Sequence, residues 1–433
     1  MKIHIKGGRL IDPKSGVDAK KDVYVAAGKI VAIGDAPAGF AANRVIDAAG
    51  LVVSPGLVDL SARLREPGYE YMATLESEMQ AAIAGGVTSL ACPPDTDPPL
   101  DEPGLVEMLK FRAKNLNQAQ VYPIGALTQA LKGERLTEMA ELVDAGCVAF
   151  SQADAPFADN LVFYHALQYA ATFGFPVWLR PQDPALAKNG VAHDGPVATR
   201  FGLTAIPVCA ETVALSTIMI LVRETGARVH LTRLSSAEGV EIVRQAKRQG
   251  LPITCDVAIH HAHLTEMDIG YFEANSRLDP PLRSQRDRDA LRAALADGTA
   301  DALCSDHTPV DADVKQLPFA QAEPELRKLL EQFGPSSARA SVHYPFWHLR
   351  TDDLWDLEGP ASILARPAGA TPTLTEARQL SGSFSPEVLE ALTRNPQLVA
   401  RLARSIVEAH FLVWRCDARP ARAMSTTFPF FMT

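Results

Sequence analysis

The sequence predicts an α/β fold: a TIM-type (β/α)8 barrel with a small flanking N-terminal β-domain and an atypical, mostly helical C-terminal segment. Two observations point to the barrel. Short apolar runs recur every ~25 to 45 residues, and helical stretches with apolar residues at three- and four-residue spacing lie between most of them. A third observation bounds it, since this rhythm breaks off near Pro324.

Residues 1–52 alternate in β fashion as KIHIKGGRLID, KDVYVAAGKIVAIG and NRVIDAAGLVV. Gly-Gly and Ala-Gly turns separate them, so a small sheet of hairpins is expected. The barrel is expected over 53–324. Its strands are LVVSPGLVDL, TSLACPP, QVYPIGAL, CVAFSQ, PVWLRP, RVHLTRL, PITCDVAIH and ADALCSDH. Its helices are ESEMQAAIAGG, GLVEMLKFRAKN, LTEMAELVDAG, NLVFYHALQYAATFG, CAETVALSTIMILVRETG, SAEGVEIVRQAKRQG and SQRDRDALRAALADG, several ending in the glycine that stops helices. From residue 325 the style changes, and Trp347, Trp355 and Trp414 all fall in this last quarter. Residues 412–433 carry no helical or strand period and read as a disordered tail.

Composition narrows the function classes. A chain of 433 residues that is 47% hydrophobic has enough apolar material for a large core. Its net charge of −9 argues against a general binder of nucleic acid or membrane surfaces. The basic helix faces KFRAKN and VRQAKRQG read as solvated. Cys92, Cys147, Cys209, Cys255, Cys304 and Cys416 are scattered with no C-x-x-C pair, and most lie in apolar runs, so buried free thiols are expected. MKIHIKGGRL has too short an apolar run for a leader peptide, and no stretch reaches membrane-spanning length. A cytoplasmic protein is expected.

In PGLVDLSARLREPG an apolar strand ends in polar residues and then Pro-Gly, as a barrel strand does at its mouth. Together with AGGVTSLACPPDTDP, the FSQAD region, VHLTRLSSAEGVEIVRQAKRQGLPITCDVAIHH, DPPLRS and DALCSDHTP, it resembles dihydroorotase of the amidohydrolase superfamily over residues 1–324. The resemblance implies two zinc ions, held by His-x-His after the first strand, an aspartate after the fourth, histidines after the fifth and sixth, and an aspartate after the eighth. It also implies that the N-terminal hairpins are half of a small β-domain. In this chain the His-x-His places are Ser61 and Arg63, and Gln152 and Ala153 stand where two aspartates would, with Asp154 one step displaced. The fifth- and sixth-strand places are Arg180 and Arg233, and Asp306 alone keeps its carboxylate.

Zinc needs lone pairs from imidazole, thiolate or carboxylate, whereas a guanidinium is a permanent cation with five donors and no acceptor. Arg63, Arg180 and Arg233 would put roughly +3 of charge where two zincs would bring +4, so no cofactor is expected. The substrate-binding places are altered as well. Arg65 matches the residue that grips the substrate carboxylate, but two asparagines have become Asp95 and Asp279, which repel an anion such as dihydroorotate. His307 beside Asp306 has the form of an acid/base pair and reads as a leftover without a metal hydroxide to serve. His260, His261 and His263 form the one histidine cluster, where the family has a pair that does not bind metal. Salt bridges from the three arginines to Asp306, Asp95 and Asp154, an anion pocket, or altered catalysis are the readings these residues leave open.

A second resemblance lies at 326–411. HYPFWHLRTDDLWDL and FSPEVLEALTRNPQLVARLARSIVEAHF look like part of the sulfur-recognising domain of phosphorothioate-dependent HNH restriction endonucleases, with Tyr344 and Pro345 at the family's sulfur pocket. A fused or misassembled reading frame would explain this foreign segment and the tail. It would also leave the small β-domain incomplete, with an open edge prone to aberrant pairing.

The expected function is that of a non-catalytic dihydroorotase-like protein in a hetero-oligomer with aspartate transcarbamoylase, because inactive homologues play that part in some bacteria. The alternatives are a divergent amidohydrolase of dihydroorotase or hydantoinase type with at most one metal, and modified-DNA binding by the C-terminal segment.

Overall fold

The computed structural model describes residues 1–311 and 313–322. The segment expected at 325–411 and the tail at 412–433 lie outside the described residues. Two units are present, one over Met1–Gly56 and one beginning at Leu57.

The first unit holds seven strands: β1 (Lys2–Lys6), β2 (Arg9–Asp12), β3 (Val17–Lys20), β4 (Val23–Ala26), β5 (Lys29–Ile33), β6 (Arg44–Asp47) and β7 (Val52–Val53). They form two sheets, in the orders β5-β4-β1-β6 and β3-β2-β7. This corrects the single sheet of hairpins. KIHIKGGRLID is two strands in different sheets, because the chain turns at Gly7, where φ is +77°. At Gly8 it passes so close to its neighbours that an added Cβ would sit 2.6 Å from the Val53 side chain. The true hairpins are β2 with β3 and β4 with β5, while β6 and β7 pair parallel to β1 and β2. Among the described residues β5 and β6 are the edges of the larger sheet, and they expose Ile30, Val31 and Val45.

The second unit alternates strand and helix. Its barrel strands are β8 (Leu57–Asp59), β9 (Val87–Cys92), β10 (Gln120–Ala126), β11 (Ala149–Ser151), β12 (Val177–Leu179), β15 (Val229–Leu231), β16 (Ile253–Ala258) and β17 (Ala302–Cys304). All eight are parallel neighbours in that order. The ring closes at the mouth, where Arg63 N donates to His307 O at 2.8 Å and His307 N donates to Ser61 O at 3.0 Å. The helices are α1 (Leu75–Ala84), α2 (Pro103–Leu116), α3 (Met139–Ala145), α4 (Asn160–Phe173), α5 (Pro196–Phe201), α6 (Cys209–Thr225), α7 (Ala237–Arg248) and α8 (Gln285–Asp297). This is a TIM barrel, and the eight strands and seven main helices fall where their periodicity placed them. The pair β13 (Ala192–His193) and β14 (Ala205–Ile206), with α5, was not foreseen; elements of two to six residues are too short to show a period.

Alternation along the strands divides two cores. Leu90, Cys92, Phe150, Val177, Leu179 and Val257 pack in one large cluster with helix residues such as Met79, Leu109, Leu167 and Leu215. The intervening Ala91, Ala149, Trp178 and Ala258 form a separate cluster with Leu60, Ile124 and Cys304, on the opposite face of the strands and hence inside the ring.

Polar anchors set the loops between strand and helix. Asp159 caps α4 by accepting from Leu161 N and Val162 N, both at 2.9 Å, and such a cap is worth about 1 kcal/mol. The buried Glu211 of α6 accepts from the amide and hydroxyl of both Ser235 and Ser236, which pins the β15–α7 loop. That loop carries Arg233.

Of the cysteines, Cys92, Cys147, Cys255 and Cys304 are buried and free, while Cys209 is exposed. Burial pushes the Cys92 and Cys147 thiols up to about 12. Among the described residues no helix is long and apolar enough to cross a membrane.

Candidate functional site

Seven of the eight loops that follow barrel strands each send one charged side chain to the mouth. Arg63 follows β8, Asp95 β9, Asp154 β11, Arg180 β12, Arg233 β15, Asp279 β16 and Asp306 β17. Four residues of these loops, Arg65, Ala153, Arg233 and Asp306, have φ between +51° and +61°. Non-glycine residues rarely adopt that left-handed conformation, and clustered here it marks a mouth whose backbone is held by surrounding packing.

The charges form one connected network. Arg63 Nε donates to Asp95 Oδ2 at 2.6 Å, Nη2 to Asp154 Oδ2 at 2.8 Å, and Nη1 to Thr308 Oγ1 at 3.1 Å and Asp306 Oδ1 at 3.5 Å. Arg180 pairs with Asp279 and, at 3.1 Å, with Asp154 Oδ1. Arg233 pairs with Asp154 and, at 3.3 Å, with Asp306 Oδ1. Asp306 Oδ1 also accepts from Ser61 Oγ at 3.2 Å.

Asp154, the residue displaced by one step in the sequence, is thus the hub that touches all three arginines. Asp279 is the partner that sequence reasoning missed. In the sequence it reads only as a lost substrate contact, and nothing in DPPLRS announces that it faces Arg180, 99 positions away.

Depth decides what the mouth presents. The arginine side chains are 6–9% exposed, while those of Asp95, Asp154 and Asp279 are 26–36% exposed. The cations therefore lie beneath carboxylates. Burial opposes ionisation of Asp154, and Arg233, Arg180 and Arg63 overcome it, holding its carboxyl far below the usual range. Asp306 is lowered in the same way, against burial, by Arg233 and Arg63. Burial opposes the charge on Arg63 as well, but Asp95, Asp154 and Asp306 raise its pKa well above the ordinary value. Three cations face four carboxylates, so the set has no surplus positive charge with which to attract an anion. Arg180 Nε and Arg233 Nε are buried without a hydrogen-bond partner, each a cost of about 1–3 kcal/mol inside the network.

The other predicted site residues lie elsewhere. Gln152 turns away from the network, accepting from Thr128 Oγ1 and donating to Leu131 O, both at 2.9 Å. Arg65 Nε donates to Pro309 O at 2.7 Å, and its guanidinium lies 5.7 Å from the centre of the Tyr69 ring. His307 turns to α1, where its Nε2 meets Glu78 Oε2 at 2.5 Å, with both side chains buried. His260 and His261 are buried with ring centres 4.5 Å apart. Burial holds His260 down to about 4, with Arg233 adding to the effect and Asp306 opposing it. Among the described residues no group of three or more His, Cys, Asp or Glu converges as a metal site.

Comparison with known proteins gives this geometry its context. A family model described as dihydro-orotase-like matches residues 50–239. A "Dihydroorotase-like protein" of Pseudomonas aeruginosa is 47% identical over 377 residues, covering 85% of this chain and 87% of that one. The chain belongs to the dihydroorotase-like family. A dihydroorotase of Citrifermentans bemidjiense is 40% identical over 319 residues, covering 74% of the dihydroorotase-like chain and 75% of its own length. Among solved structures, the L-hydantoinase of Arthrobacter aurescens superposes with a TM-score of 0.66 at 22% identity over 82% of each chain, a likeness of fold. A second family model, described as a ScoMcrA-like DNA sulfur-binding domain, matches residues 310–415 of the dihydroorotase-like chain.

Proposed function

We propose that this dihydroorotase-like chain is a non-catalytic subunit of pyrimidine biosynthesis that supports assembly of aspartate transcarbamoylase. The observation that carries the first half is the ion network at the mouth. The places that the resemblance assigns to zinc ligands hold Ser61, Arg63, Gln152, Ala153, Arg180 and Arg233. Gln152 is committed to the β10 loop, and the three guanidinium groups have no lone pair to offer a metal. Asp306, the one carboxylate retained, already accepts on Oδ1 from Ser61, Arg63 and Arg233. This donor set does not fit zinc. The network instead ties seven loops together, which is the work a bridging metal would otherwise do in holding a barrel mouth.

The second half rests on the family resemblance, in which inactive homologues pair with the transcarbamoylase. Co-expression of the full chain with the aspartate transcarbamoylase of its own organism tests it. The two are expected to co-elute as one complex, and omitting this chain is expected to leave the transcarbamoylase in a smaller assembly. Separate elution, with the enzyme's size unchanged by the omission, removes the role.

A second reading is favoured by the family model at 310–415: recognition of sulfur-modified DNA by the C-terminal segment. It predicts binding to a phosphorothioate duplex over its unmodified twin at low salt, weakened by Tyr344→Ala. Equal binding to both duplexes, or none, ends it.

A further inference from the structure

The exposed apolar side chains of the barrel's loops all lie at one end. Loops that lead out of barrel strands expose Tyr71 after β8, Leu186 after β12, Met267, Tyr271 and Phe272 after β16, and Leu317 after β17. Among the described residues, the loops that lead from helices into barrel strands expose no large apolar side chain. Three of the six are mostly in solvent: Tyr271 is 90% exposed, Met267 70% and Tyr71 67%.

The β16 loop holds its apolar residues outward at a cost. Phe272 has φ +65°, a left-handed conformation that a bulky residue rarely adopts, and its ring centre lies 4.7 Å from that of Phe201 on α5. Glu273 N donates to Ile269 O at 2.8 Å, which closes a turn around Tyr271. Backbone strain that leaves Tyr271 and Met267 uncovered accords with a contact outside the chain, of the kind that exposed aromatic and Met side chains make.

Charge selects the occupant. The β9 loop holds Asp95, Asp97, Asp101 and Glu102 without a Lys or Arg, and Asp268 and Glu273 lie on either side of Tyr271. The outermost groups of the ion network are carboxylates as well. Lys315 of the β17 loop is buried, donating to Ala274 O and Arg277 O. This end therefore repels nucleic acid, an anionic membrane and the mouth of a second copy. A protein segment with Lys or Arg among apolar side chains matches it, since the rim supplies contact area and the carboxylates supply attraction.

We infer that the mouth face is the docking surface for a basic, apolar segment of a partner protein, with Tyr271 and Met267 as its main apolar contacts. Within the proposed role that partner is the aspartate transcarbamoylase catalytic chain, so the inference rests on that reading.

Titration of the full chain against the transcarbamoylase of its own organism, read by co-elution and calorimetry, tests the surface. The native chain is expected to bind, and to bind more weakly as salt rises. Tyr271→Ala combined with Met267→Glu is expected to weaken binding roughly tenfold, with circular dichroism and melting temperature unchanged because both side chains lie in solvent. Asp97→Lys, on a different loop, is expected to weaken binding and flatten its salt dependence, so a folding defect in the double variant does not decide the matter. Phe111→Glu, on the exposed face of α2, is expected to bind as the native chain does. Native affinity in the folded double variant or in Asp97→Lys overturns the docking surface and leaves the subunit role standing. Loss of binding in Phe111→Glu does the same. A native chain that forms no complex overturns both.

Discussion

Arg63→Met is expected to destabilise the barrel by about 3 kcal/mol, the lower end of the range for removing one partner of a buried ion pair. Arg63 reaches Asp95, Asp154 and Asp306 and also donates to Thr308. Methionine fills much of the volume but leaves three carboxylates short of a cation. Asp95 and Asp154 reach solvent and recover part of the loss by hydration, whereas Asp306, at 10% exposure, does not. The melting temperature should fall by roughly 5 °C. Arg63→Lys keeps the charge but not the fork that serves four acceptors at once, so an intermediate loss is expected. Asp306→Asn should cost less in the Arg63→Met background than in the native chain, with a coupling of about 1 kcal/mol or more by double-mutant cycle. Denaturant unfolding measures all three. A change within about 0.5 kcal/mol for Arg63→Met would mean that the network adds nothing to stability.

Acid should unfold the protein in two stages. His260 is held down to about 4 from an ordinary 6.5, chiefly by burial, and His263 is held to about 4, again chiefly by burial. Between those pH values the unfolded chain binds protons that the native chain refuses, so stability rises with pH across the window and is lost as pH falls through it. For His260 alone the loss from pH 6.5 to 4 is about 3 kcal/mol. The carboxylates act lower. Asp154 and Asp306 are depressed by their arginines, so their contribution is complete above the unfolded aspartate pKa of about 3.9 and is lost as pH falls below it. Urea unfolding from pH 7 to 4 should show the first stage, and His260→Leu should flatten its slope. A midpoint independent of pH between 6.5 and 4.5, or a slope that His260→Leu leaves unchanged, would contradict the assignment.

The barrel was legible because its signals are local and repeated. Apolar runs of strand length alternate with helical spacing, and caps such as Asp159 and Ser236 sit directly before the helices they begin. KDVYVAAGKIVAIG is the β4–β5 hairpin its alternation suggests, but the division into two sheets was not legible, for the opposite reason. Whether β1 pairs with β2 or with β4 depends on contacts across the sheet, which alternation within one strand does not encode. At the mouth, Arg63, Arg180 and Arg233 could be read residue by residue, but their partners could not. His307 next to Asp306 looked like a pair and is turned instead to Glu78, 229 positions away.

Two kinds of information are therefore separable in this protein. Residue identity along the chain determined the strand and helix periods, the eight-fold count, and the three arginines that follow barrel strands, since each is a property of one residue or one short window. Only the folded barrel decided that Asp154 is the hub and that carboxylates cover the cations. Ion pairing and burial depend on distances between loops that are far apart in sequence, and closure of the ring is what sets those distances.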